Sequence, residues 1–314
     1  MIFIDWISTP DHRNFNISFF SNLPKIKYKF YIFSEKLKIT NENCIVGTFE
    51  RNRLVMFYQI YKICKKNRNK KIFFLTYDPL FLVIINMIFP NIYTYEHNTV
   101  PEKIYNKHSI IQYLFYRKIT RFAQYQGQKK MLRKLGQKVF FVGSPLTYKK
   151  KQVKKVISKS DKYFISPSYR ENIDPLIQNI KLFGNKKIHI KKKFFSRLSN
   201  DQINSLNLHK VDRILLEGNE NRIMGIIVTV DSFIRGTGWF NEAINRGIPI
   251  IIINHKTKKL FENTFPFYPY IYLKDINNYE DLEKSIEKIM HYNTKKYILE
   301  HNLKFKNLIN KYLN

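Results

Sequence analysis

Six consecutive residues, Ile248-Pro-Ile-Ile-Ile-Ile253, form an apolar run that is β-branched at every position but Pro249. A strand without polar alternation must be covered on both faces, which is the condition of a parallel strand sandwiched between helices. Runs of strand length rich in Ile, Val, Phe and Tyr recur upstream, at Ile2–Ile7, Lys29–Phe33, Cys44–Thr48, Lys71–Thr76, Ile92–Glu96 and Val139–Val142. Between them, Asn52–Lys66, Leu80–Phe89 and the long Ser109–Leu135 have helical length and periodicity. Alternation of this kind predicts a parallel sheet with helices on both faces.

The pattern restarts after Tyr148–Lys159, a stretch with six lysines and no acid. Strands are expected at Asp161–Ser166, Lys187–Ile190, Arg213–Glu217 and Gly225–Val230, with helices at Arg170–Phe183, Gly238–Arg246, Tyr279–His291 and Asn293–Tyr312. A chain of 314 residues is long enough for two cores. The expected architecture is α/β, with two Rossmann-like doubly wound domains facing a cleft, at residues 1–150 and 151–314.

Lys and Arg number 55 against 24 acids, a formal net charge of +31. That excess points to an anionic partner: nucleic acid, an anionic membrane surface or a phosphate-bearing substrate. The two cysteines, Cys44 and Cys64, form no C-x-x-C pair, which argues against a disulfide framework or a Cys-based zinc site. The apolar stretch Pro79–Pro90 is 12 residues long, short of the ~20 that span a bilayer. Met1–Ile7 lacks a basic leader and reads as a first strand, so a cytoplasmic protein is expected.

The most specific segment runs from Thr229 to Ile253: a buried strand, a turn with Gly236 and Gly238, a helix carrying Glu242, then Gly247-Ile-Pro249 and the buried run. Glycines let backbone approach a ligand, and the helix start offers unpaired N–H groups and partial positive charge to a phosphate. Glu242, a turn further on, either accepts from ribose hydroxyls or simply faces solvent. This array resembles the donor-binding region of GT-B glycosyltransferases. The resemblance implies that Arg235, Gly236, Thr237 and Gly238 lie at the diphosphate and sugar, and Glu242 at the ribose. The second acid of the E-x7-E pattern is missing, since position 234 is Ile234, so stereochemistry does not carry over. Phe164-Ile-Ser-Pro-Ser-Tyr-Arg170 is similar to the family's first donor-domain loop, making Ser166, Ser168 and Arg170 diphosphate candidates; a helix N-cap with a solvated Arg170 is the other reading. Glu217, Gly218 and Asn219 are expected at the end of a strand, beside the base.

On the acceptor side, Glu96, His97 and Asn98 follow a strand and are expected to face the cleft. Asp11, His12 and Asn14 follow the first strand, where the family places a loop beside the acceptor. Asp11 and His97 are the rival catalytic bases, because either type can deprotonate an acceptor hydroxyl. No D-x-D, H-E-x-x-H or P-loop signature occurs, so neither a metal nor another cofactor is expected. Basic and aromatic residues interleave from Tyr105 to Arg133, a pattern that on one helix would suit a membrane interface.

The resemblance thus implies a metal-independent, hexosyltransferase-like enzyme moving a sugar from a nucleotide-sugar donor to a glycan or lipid-linked acceptor. The implied setting is bacterial surface-polysaccharide or lipopolysaccharide synthesis, peripheral at the inner face of the membrane. A nucleotide-sugar epimerase of the same fold is the nearest alternative. A basic nucleic-acid-binding protein is the more distant one, and nucleic acid is not the expected partner.

Overall fold

The structure, a computed structural model, describes residues 1–7, 12–23, 26–34, 43–96, 110, 113–116, 119–149, 161–166, 174–191, 208–212, 216–228 and 238–313. The chain divides into two compact units, residues 1–145 with 301–314, and residues 146–300. The expected boundary near residue 150 lies close to this division, but the last 14 residues group with the first unit rather than the second.

The first unit carries seven parallel strands in the order β3-β2-β1-β4-β5-β6-β7. These are β1 (Ile2–Asp5), β2 (Lys29–Ile32), β3 (Cys44–Val46), β4 (Ile72–Thr76), β5 (Ile92–Glu96), β6 (Thr120–Ala123) and β7 (Val139–Phe141). Every residue of β1 and β4 is buried, the apolar runs Ile2–Ile4 and Ile72–Leu75 together with the polar residues that end them, Asp5 and Thr76. The period of two sends Ile2, Ile4, Ile72 and Phe74 into one core layer and Phe3, Phe73 and Leu75 into the other. Helices α2 (Arg53–Lys66) and α3 (Pro79–Ile88) cover the first layer. Helix α1 (His12–Ser21) and the end of α9 (Thr294–Leu313) cover the second, with the Phe19 ring 5.7 Å from Phe3 and 6.0 Å from Phe305, spacings typical of aromatic packing. Asn52 and Asp78 cap α2 and α3, each side chain accepting from two backbone N–H groups of the first turn.

Two expectations change here. Helix α1 begins at His12, where a loop was expected. The supposed helix 109–135 is interrupted by β6 and resumes only as α4 (Gln126–Lys134). Gln128 secures that start, its Oε1 accepting from Gln124 N at 2.9 Å and Tyr125 N at 3.2 Å. Tyr116, Arg121, Phe122 and Tyr125 are therefore core residues, so the basic-aromatic stretch is not one interfacial helix.

The second unit repeats the plan with six parallel strands in the order β10-β9-β8-β11-β12-β13. They are β8 (Tyr163–Ser166), β9 (Lys187–Lys191), β10 (Leu208–Val211), β11 (Ile223–Val228), β12 (Ile250–Ile252) and β13 (Ile271–Tyr272). The described helices are α5 (Asp174–Gln178), α6 (Gly238–Arg246), α7 (His255–Thr264), α8 (Tyr279–Met290) and the start of α9. Helix α6 ends in a Schellman turn: Ile248 N donates to Ala243 O at 2.9 Å and Gly247 N to Ile244 O at 3.1 Å, with Gly247 at φ +61°. Pro249 then stops the helix, and the isoleucine run becomes β12, buried at every position. The described strand nearest the one expected at 213–217 is β10, which starts five residues earlier, and residues 213–215 lie outside the described residues. Residues 216–219 are a turn, with Asn219 N donating to Leu216 O and Gly218 at φ +78°.

Candidate functional site

Both sheets place the first strand next to the fourth, so each has one point where successive connections depart in opposite directions. Ligands of open parallel sheets bind beyond the carboxyl ends of the strands at such a point. In the first unit it falls between Asp5, ending β1, and Thr76, ending β4.

Asp5 is fully buried there and is held by three side chains. Thr76 Oγ1 donates to its Oδ1 at 2.5 Å, Asn16 Nδ2 donates to Oδ2 at 3.0 Å, and His12 Nδ1 lies 3.3 Å from Oδ1. Ile7 N in turn donates to Thr76 Oγ1 at 2.8 Å, tying the end of β1 to the end of β4. Burial pushes the Asp5 carboxyl upward, but the bonds from His12, Thr76 and Asn16 together outweigh it and hold the carboxyl below its ordinary value. An ionised Asp5 fixes the proton of His12 on Nδ1, which makes Nε2 the basic nitrogen. The His12 side chain is 7% exposed. Asp5 and Asn16 were not anticipated as site residues; an acid closing an otherwise apolar strand was the available signal. Asn14 lies exposed on α1, and Asp11 lies outside the described residues.

Glu96 differs from expectation. It ends β5 but does not present its carboxylate to an acceptor, because Arg121 on the next strand binds it in two places, Nε to Oε1 and a terminal nitrogen to Oε2, both at 2.8 Å. Both side chains are fully buried. Tyr77 Oη donates to the same carboxylate at 3.0 Å and Thr94 also donates to it. Burial opposes the charge of Arg121, and the adjoining Glu96 more than restores it, keeping the guanidinium firmly protonated. Glu96 anchors the strand that leads to His97 and Asn98, which lie outside the described residues.

In the second unit the corresponding point lies between Ser166, ending β8 and 3% exposed, and the end of β11. Helix α6 starts at Gly238 on this edge, where a Cβ would meet no described atom within 4 Å. The fold of the described residues thus does not itself demand glycine there. Glu242 is a turn further on and neither bare nor simply solvated: Lys149 Nζ reaches its two oxygens at 3.0 and 3.2 Å and Arg246 Nε reaches it at 3.2 Å. Arg246 also binds Glu220, and Asn245 accepts from Thr147 N at 2.9 Å and Lys149 N at 2.8 Å. Glu217, Gly218 and Asn219 are misplaced in the sequence reading: their turn leads into the amino end of β11, the edge opposite Ser166 and Gly238. Ser168, Arg170, Arg235, Gly236 and Thr237 lie outside the described residues. Among the described residues no group of three or more His, Cys, Asp or Glu side chains is placed to hold a metal ion. No described helix is long and apolar enough to cross a membrane.

No family model matches the sequence, and no curated protein matches it. Solved structures do match the fold. A glycosyltransferase from Rickettsia africae ESF-5 superposes with a TM-score of 0.54 at 12% identity, over 99% of this chain and 95% of that one. UDP-N-acetylglucosamine 2-epimerase from Rickettsia bellii gives 0.53 at 12% identity, over 100% and 96%. TarM gives 0.50 at 14% identity, over 84% of this chain and 56% of the other. The likeness is one of fold: two parallel-sheet α/β units of the GT-B type.

Proposed function

We propose that the chain is a glycosyltransferase that moves a sugar from a nucleotide-sugar donor to a glycan or lipid-linked acceptor without a metal ion. The observation that carries this reading is the buried Asp5–His12 pair at the first sheet's switch point. A histidine held by an ionised carboxylate is suited to take the proton of an acceptor hydroxyl, and the carboxylate stabilises the imidazolium that results. Asp11 and His97, named from the sequence, are the alternative bases. On the donor side, Ser166, Ser168, Arg170 and the segment Arg235–Gly238 are proposed to bind the diphosphate. The start of α6 would stabilise negative charge on the departing nucleotide. Glu242 reaches a ribose in this reading only by giving up part of its contact with Lys149 or Arg246. The absence of D-x-D from the sequence supports metal independence. Synthesis of a bacterial surface polysaccharide or lipopolysaccharide at the inner membrane face remains the proposed setting.

A thermal-shift series with UDP, GDP, CMP, ADP and an RNA oligonucleotide tests the reading, since a ligand of the folded state raises the melting temperature. One nucleotide stabilising alone supports it and gives the donor class; stabilisation by RNA only overturns it. His12→Ala is then expected to lower turnover by about 10²–10⁴ while leaving nucleotide binding intact. The epimerase reading, the alternative named from the sequence and in keeping with the Rickettsia bellii likeness, predicts conversion of a nucleotide-sugar with no acceptor present.

A further inference from the structure

Helix α3 of the first unit, Pro-Leu-Phe-Leu-Val-Ile-Ile-Asn-Met-Ile, has no charged residue along its length. Phe81, Leu82 and Ile85 face the core. Leu80, Ile84, Met87 and Ile88 fall at helical spacing on the outer face and are 39–76% exposed. Neighbouring α2 adds exposed Leu54, Val55 and Tyr58. The helices lie side by side, with Phe57 stacked on Phe81 at 4.8 Å and Tyr61 against Phe89 at 5.7 Å, so the two apolar strips run together. Single exposed leucines are ordinary, but a contiguous strip of this kind marks a docking surface.

The charge around this strip is predominantly positive. Residues 51–91 contain eight Lys and Arg and a single acid, Asp78, which is ion-paired with Arg53. Lys62, Lys65, Lys66 and Arg68 are exposed along the later part of α2 and just beyond it. The Lys62 ammonium lies 4.4 Å over the Tyr58 ring, beside the apolar strip.

We infer that this face docks on an anionic lipid bilayer, with the α3 strip entering the boundary between headgroups and acyl chains and the α2 cations meeting lipid phosphates. Charge complementarity selects this occupant. A second copy would bring one basic rim against another in a chain of net charge +31, and a nucleic acid would meet aliphatic side chains where it needs cations. The inference rests on the proposed transfer for its consequence. Helices α2 and α3 both begin at the carboxyl edge of the sheet, the edge that carries Asp5 and His12. The start of the strip, at Leu54 and Leu80, therefore lies toward the edge of the proposed base, although α1 covers the opposite face of the sheet.

The test is co-sedimentation of the full chain with vesicles of phosphatidylcholine alone or with about one third phosphatidylglycerol. The native chain is expected to bind only the anionic vesicles. Ile84→Glu/Met87→Glu, at exposed positions, should weaken that binding by about tenfold or more. Lys62→Glu/Lys65→Glu should do the same, whereas Lys130→Glu/Arg133→Glu on α4 should change it by less than about threefold. Unaltered melting temperatures establish that each variant is folded, and the Lys62/Lys65 pair serves if the strip variant is not. Native binding that survives the strip and α2 substitutions, or that α4 governs, overturns the inference. So does a dimer, seen by light scattering, that the Ile84/Met87 variant dissociates. Nucleotide-induced thermal shifts are recorded without lipid, so stabilisation by a nucleotide with no vesicle binding discards the docking face and leaves the transferase reading standing. Vesicle binding without any nucleotide effect does the reverse.

Discussion

Replacing Arg121 by Met removes the cation from a carboxylate that has no route to water. Glu96 would keep the hydroxyls of Tyr77 and Thr94 as donors and lose the two guanidinium bonds at 2.8 Å. Breaking a buried pair from one side costs about 3–5 kcal/mol, because an uncompensated charge stays behind. At roughly 2–4 °C per kcal/mol for a unit of this size, Arg121→Met should lower the first unit's melting temperature by roughly 6–20 °C. An apolar replacement of both partners removes the stranded charge as well. The double variant Glu96→Leu/Arg121→Met should therefore lose about 2 kcal/mol less than the sum of the single variants, and less than Arg121→Met alone. Urea titrations of the four proteins, followed by circular dichroism, measure the cycle. A buried carboxylate without its cation takes up a proton more readily, so the stability of Arg121→Met should rise as the solution is acidified from neutrality. An Arg121→Met protein within about 1 kcal/mol of the native chain would refute the claim that this pair governs the end of β5.

Other substitutions separate fold from site. Gly225→Ala should cost about 1–3 kcal/mol, because the new Cβ would lie 2.9 Å from Ile251 Cδ1 and 3.3 Å from the Pro249 carbonyl, which is held by the bond it accepts from Ile226 N at 2.8 Å; the urea midpoint reports it. Gly238→Ala should leave stability unchanged or raise it by up to about 1 kcal/mol while weakening nucleotide-induced stabilisation, and equal nucleotide shifts in both proteins would argue against a ligand at the α6 start. Burial holds the His301 imidazole below its ordinary value of 6.5, against the bond at 2.9 Å from Nε2 to Ser144 O. The folded state then binds fewer protons than the unfolded one, so this contribution is complete above about pH 6.5 and lost as pH falls below it; His301→Gln should flatten that part of the urea midpoint–pH curve.

The sequence by itself determined the two sheets, because an isoleucine run such as 250–252 or the apolar stretch Ile72–Leu75 of β4 can be satisfied only by cover on both faces. It also determined α6 to the residue, since a glycine stands at each boundary and Pro249 follows the second. What it hid were contacts between elements distant in the chain. Strand β6 was concealed because Arg121 looks like a solvated helix residue until Glu96, 25 positions earlier, is brought beside it. The same pairing turned Glu96 from a candidate acceptor contact into an internal anchor. Asp5 became part of the site only when β4 carried Thr76 to it and α1 carried His12 and Asn16 back over the strand end. Glu217–Asn219 went to the wrong edge because a strand four residues long, without a clear apolar run, was read out of register. Local pattern is written in neighbouring residues, whereas the partner of a buried charge is set by strand order, and strand order exists only in the folded chain.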